Sequence, residues 1–269
     1  MDLEQIKQEW MLGAENEAAQ IVAWDSTAEE YVYEPKNNFD EDPFLRFIAD
    51  QIDLTPNLSS LDVGCGAGAY SVAMAQRIGM AHGVDLSPRM IELGQQYAKQ
   101  NGIHNVRLWV RNWHTCDVGE FYKKYDIVFA HTTPAIADLQ TLQKMIAAST
   151  RHCFYCTTAR RTDLVFDECK KIAGVTERDH DKHILYTFNA LWLMGYDPIV
   201  SYANTTWLPV KSYDEAKSWF TGRLRAHYEL NTQAEKNVSD YLQSLVQPDG
   251  MIHEQIQTTL VNMYWDVSE

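Results

Sequence analysis

The 269 residues contain no block of lysine and arginine; 37 Asp and Glu outnumber 23 Lys and Arg, and the formal charge is −14. A phosphate-backbone partner would meet repulsion over much of such a surface, so nucleic acid is not an expected partner. No apolar run approaches the roughly 18 residues that read as a membrane span. The segment Met1–Gln5 has neither the basic region nor the apolar core of a signal peptide. No membrane partner and a cytoplasmic location are therefore expected. Cysteine is sparse and odd in number: Cys65, Cys116, Cys153, Cys156 and Cys169 are scattered, unlike a disulfide framework, and reduced thiols are expected. Cys153 and Cys156 have the spacing of a zinc or redox pair, but they fall in an expected strand, where residues three apart face opposite sides. His180 and His183 form an H-x-x-H pair without a further placed ligand, so no metal is expected. Internal repeats and low-complexity stretches are lacking too.

What is present suffices for a large core. Hydrophobic residues make up 45% of the chain, enough for one large domain or one domain with an elaborated cap. The organising stretch is Leu61-Asp62-Val63-Gly64-Cys65-Gly66-Ala67-Gly68-Ala69-Tyr70-Ser71, an apolar run opening into a glycine turn and then a helical pattern. Alternating glycines let the backbone turn sharply and approach a bulky ligand, and the N–H groups of the following helix are aimed at the same spot. The turn also satisfies the loose dinucleotide pattern, with Gly64, Gly66 and Ala69 in the three places. The next strand separates the two readings. It ends in Asp85, followed by Leu86-Ser87-Pro88, with Ser87 suited to a helix N-cap and Pro88 to the first turn. Asp85 can accept both hydroxyls of a ribose. Asp62, two residues ahead of the first glycine, would repel a pyrophosphate and suit a cation. Together they point to a sulfonium nucleoside.

With these residues in view, the DVGCGAG turn and the VDLSP segment resemble the class I S-adenosylmethionine-dependent methyltransferases, in particular the small-molecule type. The resemblance covers about residues 24–160. It implies an α/β fold, a doubly wound, mostly parallel seven-stranded sheet with five parallel strands and then an antiparallel hairpin. It also implies S-adenosylmethionine as cofactor, S-adenosylhomocysteine as product and a small-molecule acceptor. Asp62, Gly64, Cys65, Gly66, Gly68, Asp85 and Leu86 are then the candidate cofactor residues of the first two strand ends. Asn112, with Trp113 beside it, stands where the family commonly has an aspartate that accepts from the adenine amino group; the amide oxygen of Asn can accept the same bond. Trp24–Tyr31 resembles a segment that folds over the cofactor in many small-molecule methyltransferases, which makes Tyr31 a lid contact; a helix packing its aromatics into the core is the alternative.

Along the chain, spacing predicts an amphipathic helix within residues 1–22 on Leu3, Ile6, Trp10, Ala14 and Ile21, and a short helix over Pro43–Ile52. Strands are expected at Ser59–Val63, Val106–Val110, Tyr125–His131, Thr150–Thr158, Ile199–Val210 and Leu260–Val267, with helices at Ala69–Ile78, Pro88–Asn101 and Ile184–Met194. Capping-box patterns at Ser212–Glu215 and Thr232–Glu235 predict a helical hairpin. The expected organisation is a single methyltransferase domain over 1–269: an N-terminal helical lid at 1–57, a nucleotide-binding core at 58–211, a helical cap insertion at 212–250 and the last core strand at 251–269.

His131-Thr132-Thr133-Pro134 closes the fourth strand, where the resemblance places groups facing the methyl and the incoming nucleophile; the N-P-P-Y type motif of amino-methylating relatives is absent. His131 is the candidate catalytic residue, either as a general base or as a group that shapes the pocket. Thr132, Arg160 beside Arg161, and Tyr186 are the candidate substrate residues. Methylation of a protein side chain, a non-catalytic S-adenosylmethionine-binding protein and a nicotinamide dehydrogenase are the alternative functions.

Overall fold

Alternating side chains in a series of short apolar runs build the sheet at the centre of the fold. The computed structural model describes residues 1–11, 16–34, 36–175 and 181–268. Strands β1 (Ser59–Val63), β2 (Met80–Asp85), β3 (Val106–Val110), β4 (Tyr125–His131) and β5 (Ser149–Asp163) pair in parallel in the order β3-β2-β1-β4-β5. The sheet continues through β9 (Ile256–Asp266), antiparallel to β5, to the edge strand β6 (Ile199–Trp207). This is the seven-stranded, mostly parallel sheet that the resemblance implies. Chain order runs outward in one direction from β1 and in the other from β4, so the topological switch point, where open α/β sheets place their ligands, lies between them.

In β4, Val128 and Ala130 face one apolar cluster and Ile127 and Phe129 the other; in β5, Cys153 and Tyr155 oppose Phe154 and Cys156. Cys153 and Cys156 thus lie on opposite faces of the sheet, as period-two alternation requires. One face is covered by α1 (Leu3–Glu9), α6 (Leu139–Ala148) and α8 (Lys182–Leu193), the other by α3 (Pro43–Gln51) and α4 (Ala69–Ala75). The helix α5 (Pro88–Gln100) joins β2 to β3; Ser87 caps it through the Met90 N–H and Pro88 occupies its first turn. A separate apolar cluster joins α2 (Glu17–Asp25), α7 (Leu164–Ile172), α9 (Tyr213–His227) and α10 (Thr232–Ser244) around Phe220, Leu224 and Val238. That cluster is the core of a separate helical layer. No helix among the described residues is long and apolar enough to cross a membrane.

Several boundaries differ from expectation. Helix forms at the N-terminus in two pieces, α1 and α2, rather than one; Ala14 lies outside the described residues, as does His180. The strand expected over Ile199–Val210 stops at Trp207, because Pro209 has no N–H to continue the ladder. The chain then forms β7 (Val210–Ser212), which pairs with β8 (Met251–His253) in a sheet of its own. β5 runs on past Thr158 through an irregularity between Ala159 and Thr162, and Asp163 caps the unanticipated α7 through the Phe166 N–H. The capping box at Ser212 and Glu215 forms, whereas α10 is capped by Asn231 through the Ala234 N–H, which leaves Thr232 inside the helix.

Candidate active site

Val63 lies opposite Val84, and Asp62 opposite Phe129, so the carboxyl ends of β1, β2 and β4 finish at one level. A cavity of about 260 Å³ opens above them, lined at one end by Arg111 and Asn112 after β3 and at the other by His131–Ala135 after β4. Three strand spacings separate β3 from β4, about 14 Å, a length suited to an extended nucleoside.

The glycine turn forms its floor. Gly64 sits at φ +70°, and a Cβ there would overlap the Thr133 hydroxyl. Gly68 N-caps α4 at φ +77°, with Leu108 Cδ1 2.7 Å from where its Cβ would be. Gly68 therefore shapes the turn from behind and is not part of the cavity wall. The N–H groups of Gly64 and Cys65 donate to Val84 O at 2.8 and 3.0 Å, that of Gly66 to Asp85 Oδ2 at 2.8 Å, and that of Gly68 to Cys65 O at 2.9 Å. Four of the turn's N–H groups are thus engaged by the protein, and a pyrophosphate placed on them would meet two acidic side chains.

Two acids lie behind the turn. Asp62 is 2% exposed and accepts from Ser71 Oγ at 2.9 Å. Burial pushes its carboxyl up to about 8; the Ser71 hydrogen bond lowers it and neighbouring Asp85 raises it further. Asp85 accepts from the N–H groups of Gly66 and Ser87, both at 2.8 Å, yet burial still raises its carboxyl above the usual range. Both acids line the cavity, with Cys65, Gly66 and Leu86. A bound cation would restore to Asp62 the charge that burial suppresses.

Tyr31 lies over the turn, its Cβ 3.6 Å from the place of a Gly66 Cβ, and remains 39% exposed. Trp24 packs edge-on to Tyr31 at 6.0 Å and to Trp219 of α9 at 5.2 Å. The segment is tied to the start of α5 by Ser87 Oγ donating to Asp25 and by the Arg89–Glu29 pair at 2.9 Å.

At the far end, Asn112 lines the cavity, but its Nδ2 donates to Glu17 Oε2 at 3.0 Å and its Oδ1 accepts the His114 N–H at 2.9 Å. Trp113 also lines the cavity, while most of its indole is buried: it is 3% exposed, packs on Phe121 and donates Nε1–H to Thr141 O at 3.2 Å. Two substrate candidates are placed elsewhere. Tyr186 is 7% exposed, stacks on Trp10 and donates to Glu9 Oε2 at 3.0 Å, so it anchors α1 and does not line the cavity. Arg160, at φ +51°, is exposed outside the cavity, with its N–H directed at the Asp181 carboxylate. Arg161 pairs with Asp163 at 3.1 Å.

His131 and Thr132 line the cavity at the end of β4. Tyr70, which sequence reasoning passed over, lines it too and contacts His131 ring to ring at 4.0 Å. Its place directly after the glycine turn was the only signal available. Burial pushes the His131 imidazole down to about 3, so the ring is neutral. Among the described residues no group of three or more His, Cys, Asp or Glu is arranged to hold a metal ion.

A family model described as a methyltransferase domain matches residues 54–191, just over half of the chain. The chain belongs to that family, the class I S-adenosylmethionine-dependent methyltransferases. It is 21% identical over 145 residues to an uncharacterized protein of Haemophilus influenzae, covering 54% of this chain and 53% of the relative. It is 38% identical over 76 residues to aklanonic acid methyltransferase DauC of Streptomyces sp. strain C5, covering 27% of this chain and 34% of that enzyme. Among solved structures it is similar to the YcgJ protein of Bacillus subtilis, with a TM-score of 0.50 at 16% identity over 83% of this chain and 97% of the other. That likeness is one of fold. The chain spans about half or less of the length of these curated relatives.

Proposed function

We propose that the protein transfers a methyl group from S-adenosylmethionine to a small-molecule acceptor by in-line displacement, releasing S-adenosylhomocysteine. The observation that carries this reading is the pair of acids, buried Asp62 and half-buried Asp85, behind a glycine turn in which the N–H groups of Gly64, Cys65, Gly66 and Gly68 are already engaged. Such a floor suits a cationic nucleoside and disfavours a dinucleotide's pyrophosphate. Bound there, the cofactor supplies an electrophilic methyl on a sulfonium.

Asp85 accepts the ribose hydroxyls, and Asp62 holds the ammonium end. Gly64, Cys65 and Gly66 let the backbone pass beneath, Leu86 and Asn112 flank the base, and Tyr31 covers the site. Gly68 contributes through the shape of the turn and Trp113 through the packing beneath Asn112. His131 and Thr132 face the acceptor. Enclosure by the Trp24–Tyr31 segment and the cap excludes water and keeps donor and acceptor aligned, the main source of acceleration for such a transfer. The modest cavity supports a small acceptor, as does the aklanonic acid named for the Streptomyces relative, and the charge of −14 disfavours nucleic acid.

Calorimetric titration of S-adenosylmethionine, S-adenosylhomocysteine and NADH into the wild type and Asp85→Ala tests the reading. Binding of both adenosyl ligands, lost in the variant, with no response to NADH is the expected result. A folded protein that binds neither adenosyl ligand, or prefers NADH, overturns it.

A further inference from the structure

Four polar groups around the end of β4 form one continuous chain. Thr132 Oγ1 lies 3.2 Å from His131 Nδ1, His131 Nε2 lies 3.1 Å from the Tyr70 hydroxyl, and that hydroxyl donates to Asp42 Oδ2 at 2.8 Å. Its direction follows from its last member. An ionised carboxylate only accepts. Tyr70 therefore gives its proton to Asp42, its oxygen accepts Nε2–H from His131, and Nδ1 keeps a lone pair that accepts from Thr132. Every hydrogen in the chain points from the cavity toward Asp42.

The two ends differ in environment. Thr132 and His131 line the cavity, whereas Asp42 is the partly exposed N-cap of α3, its Oδ1 accepting the N–H groups of Phe44 and Leu45 at 2.9 Å. Thr132 is held at φ +45°, a strained conformation for a β-branched residue. Its N–H, donated to Cys156 O at 2.8 Å, helps fix that geometry and with it the hydroxyl beside Nδ1.

We propose that Thr132, His131, Tyr70 and Asp42 form a proton relay from the cavity to solvent, and that the methyl acceptor is accordingly a hydroxyl compound. The inference rests on the methyltransferase reading above. As the acceptor oxygen bonds to the methyl carbon, the carbon–sulfur bond breaks and its electron pair stays on sulfur. The acceptor's proton passes to Thr132 Oγ, the Thr132 proton to Nδ1, Nε2–H to the Tyr70 oxygen and the Tyr70 proton to Asp42, which releases it to water. A ring as weakly basic as His131 does not take a proton from an ammonium, but it does from the strongly acidic oxonium that forms as an oxygen is methylated. A carboxylate or tertiary amine acceptor would shed no proton and would have no use for the chain. Asp42 and Tyr70 are positioning residues in this scheme, since they act on the acceptor through His131.

The test is the tautomer of His131, read by long-range 15N–1H correlation in 15N-histidine protein at pH 7, with the signal assigned by its loss in His131→Gln. The wild type is expected to show a neutral ring protonated at Nε2. In Asp42→Asn the new side chain still caps α3 through Oδ1, while its Nδ2–H faces the Tyr70 oxygen. Tyr70 must then donate to Nε2, and the tautomer switches to Nδ1–H. An imidazolium or an Nδ1–H ring in the wild type overturns the relay, as does a tautomer unchanged in Asp42→Asn. The measurement is made without and with S-adenosylhomocysteine, so failure to bind that ligand strikes the methyltransferase reading and leaves the relay to be judged by the ring. In a panel of phenols, aliphatic carboxylates and tertiary amines, phenol methylation with kcat about 100-fold lower in Asp42→Asn at unchanged KM supports the proposal. Methylation confined to carboxylates or tertiary amines overturns the acceptor assignment.

Discussion

Cofactor binding should release a proton, and the magnitude follows from Asp62. Burial holds this carboxyl at about 8 in the free protein, so near neutral pH it is mostly protonated. An ammonium seated against it favours the carboxylate, and the proton must leave. If the bound form stays ionised to below pH 5.5, affinity for S-adenosylhomocysteine falls as pH drops, nearly tenfold per unit, or roughly 80-fold from pH 7.5 to 5.5. At pH 7 the linkage amounts to roughly 0.9 protons released per ligand bound. Calorimetry in two buffers of different ionisation enthalpy measures that number directly. Asp85 acts in the same direction, its carboxyl also being raised by burial, so Asp62→Asn should flatten most of the slope and leave a residue assignable to Asp85. A wild-type affinity that changes less than threefold across the window, with no proton released, would refute the placement of the ammonium at Asp62.

The same acid bears on stability. Its folded pKa of about 8 lies above the unfolded value near 3.8, so the folded state binds the extra proton and stability is lost as pH rises between those values. Asp62→Asn should therefore stabilise the ligand-free protein at pH 7; even 1 kcal/mol would raise Tm by about 2–4 °C by calorimetry. Gly64→Ala, with its Cβ against the Thr133 hydroxyl at φ +70°, is expected to cost more than about 1 kcal/mol and to weaken S-adenosylhomocysteine at least tenfold, measured by urea unfolding and titration. Tyr186→Phe removes a bond to Glu9 outside the cavity, so about 1 kcal/mol of stability should go while ligand affinity stays within twofold; a large loss of affinity would return Tyr186 to the site. Lys211 and Glu254 form a buried pair at 3.0 Å joining β7 to the stretch before β9, and Lys211→Met should destabilise by about 3–5 kcal/mol because Glu254 is left alone.

Much of the fold could be read locally. β1, β3 and β4 begin and end where apolar alternation and their flanking polar residues say they do, and Ser87-Pro88 and Ser212–Glu215 start helices because side-chain caps act within four residues. The glycine turn, too, is a local device: its positive φ angles require residues without a Cβ wherever the chain ends up.

What the sequence by itself determined is thus the order of the strands of the main sheet, the turn between β1 and α4, and the acids on either side of it. Tertiary structure decided which aromatic rings serve the core and which the cavity. Tyr186 carries the same chemistry as Trp24 and Tyr31, and only packing sends it inward, while Trp113 is buried against Phe121 and still lines the cavity. It also decided the chain from Thr132 to Asp42, whose members Asp42, Tyr70 and His131 are 28 and 61 residues apart along the polypeptide. The reason is physical. Caps, turns and periodicity act between near neighbours, whereas a hydrogen bond between distant side chains exists only once the sheet has brought its strand ends together.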